Sequence, residues 1–262
     1  MDFTDDLGRI IKFEEKPKRI ISLVPSITEL LYDLGLEEEI IAVTKFCKYP
    51  KEKIKTVEKI GGTKDFDLEK IRSLKPDLII AVKEENDKER TLEIAKEFPL
   101  CVFDITDIDS ALSSILKIGK LTGVEENAKK IMQEITNKIQ AFSTPKAKKV
   151  CYLIWENPMM TIGKNTFISE MLQLAGYENV FSEKKENYFS VSNEELKSKE
   201  TDLIFLSSEP FPFKEKHQKQ FQKQFPNSKV VLVDGEMFTW YGSRILKAID
   251  YFRLLNEKID KI

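Results

Sequence analysis

A block near residue 70 of this chain returns near residue 195, and that repetition restricts the fold more than any other feature. LEKIRSLKPDLIIAV is answered by EELKSKETDLIFLSS, so that Glu69 and Asp77 have counterparts in Glu194 and Asp202, each 125 residues later. The apolar run Ile20 to Val24, with a helix ending at Leu34-Gly35, is answered by Val150 to Ile154 and a helix ending at Ala175-Gly176. CVFD is answered by VVLVD. Three blocks in one order, at offsets between 125 and 141 residues, imply two similar α/β lobes.

Between the lobes, Asp109 to Phe142 has helical composition with a break at Thr122-Gly123. Beyond the break, Ala128, Ile131, Met132, Ile135, Ile139 and Phe142 recur at three- and four-residue intervals, with Lys129, Lys130, Glu134 and Lys138 between them. The pattern predicts one bridging helix with a single buried stripe, and Pro145 supplies its stop. The expected division is an N-terminal lobe at 1–106, a bridging helix segment at 107–145 and a C-terminal lobe at 146–262.

Within each lobe, apolar runs of strand length alternate with helices, which argues for parallel sheets covered on both faces. Phe3 to Phe13 predicts a small hairpin turning at Asp6-Leu7-Gly8. Pro25 ends the first buried run, and Ser26 with Glu29 has the spacing of a capping box. Strands are expected at Ile40–Thr44, Leu78–Val82 and Leu100–Asp104, with Asp67 capping the helix before the second of these. In the C-terminal lobe, WENPMMTIGKN reads as a loop, Lys214 to Phe225 as a helix, and Arg244 as the start of a last amphipathic helix.

The 262 residues, 41% hydrophobic and 33% charged, suffice for two modest cores. A formal charge of −2 offers nothing to nucleic acid, and no run of apolar residues is long enough to span a membrane. The acidic start MDFTDDLGRI has neither a basic n-region nor an apolar h-region, so no secretory signal is expected. Cys47, Cys101 and Cys151 lack metal-ligand spacing and read as reduced structural thiols. A monomer is the expectation.

Function in open α/β sheets gathers in the loops beyond the strand carboxyl ends. Here those loops hold Pro25, Ser26, Lys45, Phe46, Cys47, Tyr49 and Lys83 in the first lobe. In the second they hold Trp155, Asn157, Met159, Ser207, Phe211, Phe213, Phe238, Trp240 and Tyr241. Rings at such positions either face a ligand or pack beneath neighbouring loops. Presented across a cleft, they would enclose an extended, partly apolar ligand.

Catalytic patterns are absent from the sequence. His217 is the only histidine and lies in EKHQKQFQKQ, which reads as an exposed helix face. No nucleophile elbow, phosphate loop or dinucleotide fingerprint occurs. Glu84, Glu156, Glu209 and Asp234 near strand ends are either solvated loop acids or acid–base and hard-metal candidates.

RIISLVPSITELLYDLGL with VTKFCKYP, then GGTKDFDLEKIRSLKPDLII, GKNTFISEMLQLAGYENVF and VDGEMFTWYGSRIL together resemble the substrate-binding proteins of cobalamin and iron-chelate ABC transporters. The similarity runs through nearly the whole chain and is nearest to the cobalamin-binding branch. It implies a periplasmic binding fold of the helical-backbone type: two Rossmann-like lobes with parallel sheets joined by a single long helix. It implies a non-enzymatic function with no catalytic residues, no resident metal and no required cofactor. The ligand would be cobalamin or another metal chelate.

By position, the resemblance places Tyr49, Trp155, Trp240 or Tyr241, and Phe213 against the ligand, with Asp234 and Arg244 near it. Pro25, Ser26, Phe46 and Lys83 complete the candidate set from the loops. The family docks on a transporter permease through one acid per lobe, for which Glu69 and Glu194 stand here; both are otherwise ordinary helix-start acids. Family members serving a transporter are exported, so the sequence as written implies either a removed export segment or an intracellular relative. Two other readings stay open. One is a receptor for a ferric siderophore or haem, using Lys45, Lys83, Lys164 or Arg244 against an anionic ligand. The other is a two-lobed nucleotide-sugar transferase.

Overall fold

The structure is a computed structural model that describes residues 1–144 and 146–261, so the stop assigned to Pro145 lies outside the described residues. The chain forms two compact units. Unit 1 comprises Met1–Ile105, Asp109–Thr136 and Tyr241–Ile245; unit 2 comprises Thr106–Ile108, Asn137–Trp240 and Leu246–Ile262.

Unit 1 opens with the expected hairpin, β1 (Asp2–Thr4) against β2 (Ile10–Lys12), antiparallel. It continues with β3 (Ile20–Ser22), α1 (Pro25–Asp33), β4 (Ile40–Val43), a 3₁₀ turn at Lys53–Lys55, β5 (Glu58–Lys59) and α2 (Leu68–Leu74). Then come β6 (Leu78–Val82), α3 (Lys88–Ile94) and β7 (Leu100–Phe103). The five-stranded sheet has the order β5-β4-β3-β6-β7, every pair parallel. This is the half-Rossmann order, one strand at the centre and the chain winding outward on both sides. Every residue of β3, β6 and β7 is buried, as a strand covered on both faces requires.

The helices α4 (Ile108–Thr122) and α5 (Glu125–Ala141) follow, separated at Gly123, whose φ of 74° is the left-handed value that ends a helix without strain on a glycine. α5 begins within unit 1 and ends within unit 2, and through it the two Rossmann-like units are joined.

Unit 2 contains β8 (Lys148–Trp155), β9 (Met160–Ile162), α6 (Phe167–Ala175), β10 (Tyr177–Asn179), β11 (Tyr188–Ser190), α7 (Asn193–Ser198) and β12 (Leu203–Ser207). It ends with α8 (Glu215–Gln224), β13 (Lys229–Val233), α9 (Glu236–Thr239) and α10 (Ile245–Asp260), the last begun in unit 1 and preceded by a 3₁₀ turn at Gly242–Arg244. Its parallel core β10-β8-β12-β13 repeats β4-β3-β6-β7. The stretch read as a loop after β8 instead returns as the antiparallel strand β9, which β11 extends, making the sheet mixed. Along β8 the faces alternate: Cys151 and Leu153 join the apolar cluster of Ile204, Leu206, Phe213 and Phe221, while Tyr152 points to the opposite face with Phe238.

The repeat extends to individual hydrogen bonds. Asp77 accepts from the backbone N–H groups of Lys18 and Arg19, both at 2.8 Å, and its own N–H donates to the Arg19 carbonyl at 3.1 Å. Asp202 accepts from the Lys149 N–H at 2.7 Å and donates its N–H to the Lys149 carbonyl at 3.0 Å. In each unit one aspartate therefore registers the entry of the central strand against its neighbour. Asp67 caps α2 by accepting from Lys70 N, and Ser192 caps α7 by accepting from Glu195 N. Glu69 and Glu194 thus occupy the same second position of equivalent helices. Replacing Asp77 or Asp202 by alanine is expected to lower unfolding free energy by about 1–2 kcal/mol, more for Asp77 because it loses two donors. Urea midpoints check this, and equal, unshifted midpoints would refute the anchoring role.

Two further sequence expectations are corrected. The Ser26/Glu29 capping box does not form: Pro25 takes the first helical position, Val24 becomes the N-cap and no side chain caps it. Ser26 and Glu29 are carried two positions inward and are both buried. His217 is 6% exposed, not on an open helix face. It sits at the third position of α8, where its Nδ1 accepts from the Lys214 N–H at 2.8 Å and its ring meets Phe211 and Phe213 edge-on.

Candidate functional site

In unit 1 the chain leaves β3 toward one side of the sheet and β6 toward the other. The carboxyl ends of these two strands therefore form the switch point where α/β sheets bind ligands. Asn86 holds it together: its Oδ1 accepts from Val82 N at 2.8 Å, and its Nδ2 donates to the carbonyls of Leu23 at 3.1 Å and Thr63 at 2.8 Å. Sequence reasoning passed over this residue; its only signal was its position four residues after the end of a buried run.

Around that point, Pro25 is half-buried at the start of α1 and Ser26 is buried. Phe46 is 49% exposed, with the Lys45 ammonium 5.2 Å from its ring centroid. Tyr49 is half-buried, and the Arg244 guanidinium lies 4.1 Å from its ring centroid. Arg244 belongs to unit 1, is 3% exposed and donates from Nε to the Glu29 carboxylate at 2.7 Å. Tyr241 is likewise buried in the chain segment assigned to unit 1. The basic side chains of these loops carry carboxylate partners: Lys45 meets Asp65 at 3.3 Å, and Lys83 meets Asp104 at 2.5 Å.

In unit 2, β8 and β12 form the corresponding switch point. Trp155 ends β8 and is 39% exposed; its Nε1 donates to the Asn157 carbonyl at 3.2 Å, and its ring lies 5.5 Å edge-on from Phe211. Phe211 continues to Phe213 at 4.7 Å, but Phe213 is buried in the apolar cluster beneath. Trp240 is buried and donates from Nε1 to Glu209 Oε1 at 2.9 Å, which also accepts from the Thr239 hydroxyl at 2.6 Å. Asp234 accepts from Glu236 N at 3.1 Å, and its own N–H donates to the Tyr251 hydroxyl. Phe238 is fully buried. Of the C-terminal aromatic group, the structure leaves Trp155 open and turns Phe213, Phe238, Trp240 and Tyr241 inward.

The polar groups in these loops are built to hold positions. Tyr152 donates to Ser207 Oγ at 3.0 Å, and Ser207 donates to the Glu209 carbonyl at 2.6 Å. Burial raises the Tyr152 phenol above its ordinary range and pushes Tyr251 up to about 12. The Cys47 thiol, 3.2 Å from the Thr28 hydroxyl and 3.3 Å from that of Thr44, is raised by burial; Cys101 and Cys151 are pushed up to about 12 by the same cause. Protonated, buried thiols and phenols are poor nucleophiles and poor metal ligands. Among the described residues, no group of three His, Cys, Asp or Glu side chains could hold a metal ion, and no helix is long and apolar enough to cross a membrane.

Both docking candidates are exposed. Glu69 accepts from Arg72 at 2.5 Å, a guanidinium shared with Glu93 and Glu97. Glu194 lines a depression of about 370 Å³ in unit 2 together with Glu156, Asn157, Met159 and Phe221.

The chain is 28% identical, over 94% of its length and 82% of the relative's, to an uncharacterised ABC transporter substrate-binding lipoprotein of Bacillus subtilis. It is 28% identical to the vitamin B12-binding protein of Pectobacterium carotovorum, over 88% of this chain and 86% of the other. Among solved structures, the periplasmic haem-binding protein of Roseiflexus sp. RS-1 in apo form superposes with a TM-score of 0.79 at 21% identity, covering 90% of this chain and 97% of that one. Residues 20–231 match the family described as periplasmic binding protein. With its two Rossmann-like units joined by α5, the chain belongs to the periplasmic binding protein family in its helical-backbone form, and is a substrate-binding protein and not an enzyme.

Proposed function

We propose that this protein binds a corrinoid, a cobalamin-like ligand, and delivers it to an ABC transporter permease. Family membership makes it a substrate-binding protein, and similarity to proteins named as vitamin B12-binding and haem-binding supports a small ligand of the B12, haem or iron-chelate kind. The observation carrying the corrinoid reading is the charge state of the candidate loops. Three of the four cations that an anionic chelate would use already have carboxylate partners: Lys45 with Asp65, Lys83 with Asp104 and Arg244 with Glu29. The last pair is buried on both sides, so separating it would strand a charge. Neutralised cations beside exposed rings suit a large neutral ligand with extended apolar faces.

Pro25, Phe46, Tyr49 and Lys83 of unit 1 and Trp155 of unit 2 are the proposed contacts, with Glu69 and Glu194 the docking acids. Affinity would come from apolar area removed from water, at about 25 cal/mol per Å² before ordering costs. Haem or a ferric siderophore is the second reading. It is favoured by the exposure of the Lys45 and Lys83 pairs, since exposed ion pairs are weak and exchange readily for an anionic ligand.

Titration of the full chain with cyanocobalamin, followed by tryptophan fluorescence, is expected to saturate, with a Kd that changes less than about twofold between roughly 0.05 and 0.5 M NaCl. No quenching by cyanocobalamin, together with hemin binding that weakens steeply with salt, would replace the corrinoid reading by the second.

A further inference from the structure

We propose that Glu29 is a positioning residue of the ligand site: by holding the Arg244 guanidinium, it fixes the ring of Tyr49. The inference rests on the proposed contact between Tyr49 and the ligand. Glu29 lies inside α1 and is 3% exposed, although nothing in a helix interior calls for a buried carboxylate. A buried charge persists where it is paired, and the partner here is Arg244, Nε to Oε2 at 2.7 Å, with side-chain exposures of 3% and 4%. The pair brings the 3₁₀ turn Gly242–Arg244 onto α1, where Leu30 lies within 3.3 Å of the space a side chain on Gly242 would fill.

The same guanidinium lies over Tyr49, 4.1 Å from the ring centroid and well within the range of about 6 Å in which a cation is held by a ring face. Tyr49 stands in the irregular loop after β4, outside any strand or helix. The order of dependence is therefore Glu29, Arg244, Tyr49: a buried acid aims a base, and the base grips one side of a half-buried ring. A ring gripped before the ligand arrives has less freedom to lose on binding. Loosening the grip is expected to weaken binding by about three- to tenfold.

The test uses the full chain with Glu29→Gln and Arg244→Lys, each made with Tyr49 and with Tyr49→Ala, titrated with cyanocobalamin. Arg244→Lys keeps a cation beside Glu29 but removes the planar face, and serves if Glu29→Gln fails to fold. Either variant is expected to weaken binding three- to tenfold when Tyr49 is present and to change nothing when it is alanine. In the ligand-free protein, both variants should also shift the Tyr49 ring resonances, identified by their loss in Tyr49→Ala. Equal weakening in both backgrounds, or unmoved resonances, overturns the positioning role and leaves the corrinoid reading standing. A Tyr49→Ala variant that binds as tightly as the parent overturns the ligand contact itself, and the proposal with it.

Discussion

Phe238→Ala is expected to destabilise unit 2 by about 3–5 kcal/mol, the usual cost of emptying a fully buried aromatic site. The ring is 0% exposed and lies among four others: Phe252 at 4.8 Å, Tyr152 at 5.3 Å, Phe205 at 6.1 Å and Tyr251 at 6.3 Å between centroids. It sits on α9, a four-residue helix too short to hold its own shape, so the ring, together with the hydrogen bonds of Thr239 and Trp240 to Glu209, fastens the segment between β13 and the Gly242–Arg244 turn. Urea unfolding of the ligand-free protein measures the loss. A variant with an unshifted midpoint that no longer binds ligand would show that the ring faces the ligand and not the core.

Trp155→Ala should show the opposite pattern: cyanocobalamin binding weaker by about ten- to a hundredfold, with the urea midpoint almost unchanged. The side chain is 39% exposed, touches Phe211 by its edge and spends its one donor on the Asn157 carbonyl two residues away. It contributes little to the interior, yet it offers the largest open ring face among the unit 2 candidates. Fluorescence would then have to be read from Trp240 alone, so calorimetry is the better measurement for this variant. A fall in stability of several kcal/mol, with no change in ligand affinity, would exchange the roles given to Trp155 and Phe238.

These two residues show where sequence reading of the site ran out. Both lie in loops beyond strand ends, both are large aromatics, and no periodicity over so few residues separates one from the other. The strands β9, β10 and β11 escaped for the same reason, being three residues each. Glu209 looked like a solvated loop acid, but its carboxylate accepts from Trp240 and Thr239 about thirty residues away. His217 looked exposed because its neighbours are Lys and Gln, whereas one turn of helix folds its ring back onto Phe211 and Phe213.

From its sequence alone, the chain's duplicated order of buried strands and capped helices could be read, with a helix between the halves and aspartates at equivalent strand entries. Those features depend on residues a few positions apart, through apolar period, turn chemistry and local hydrogen bonds. The tertiary structure alone decided which loop rings are core and which are open, and where the charge of Arg244 goes. Its partner Glu29 is 215 residues away, and burial is a property of neighbours that the chain brings together only after it has folded.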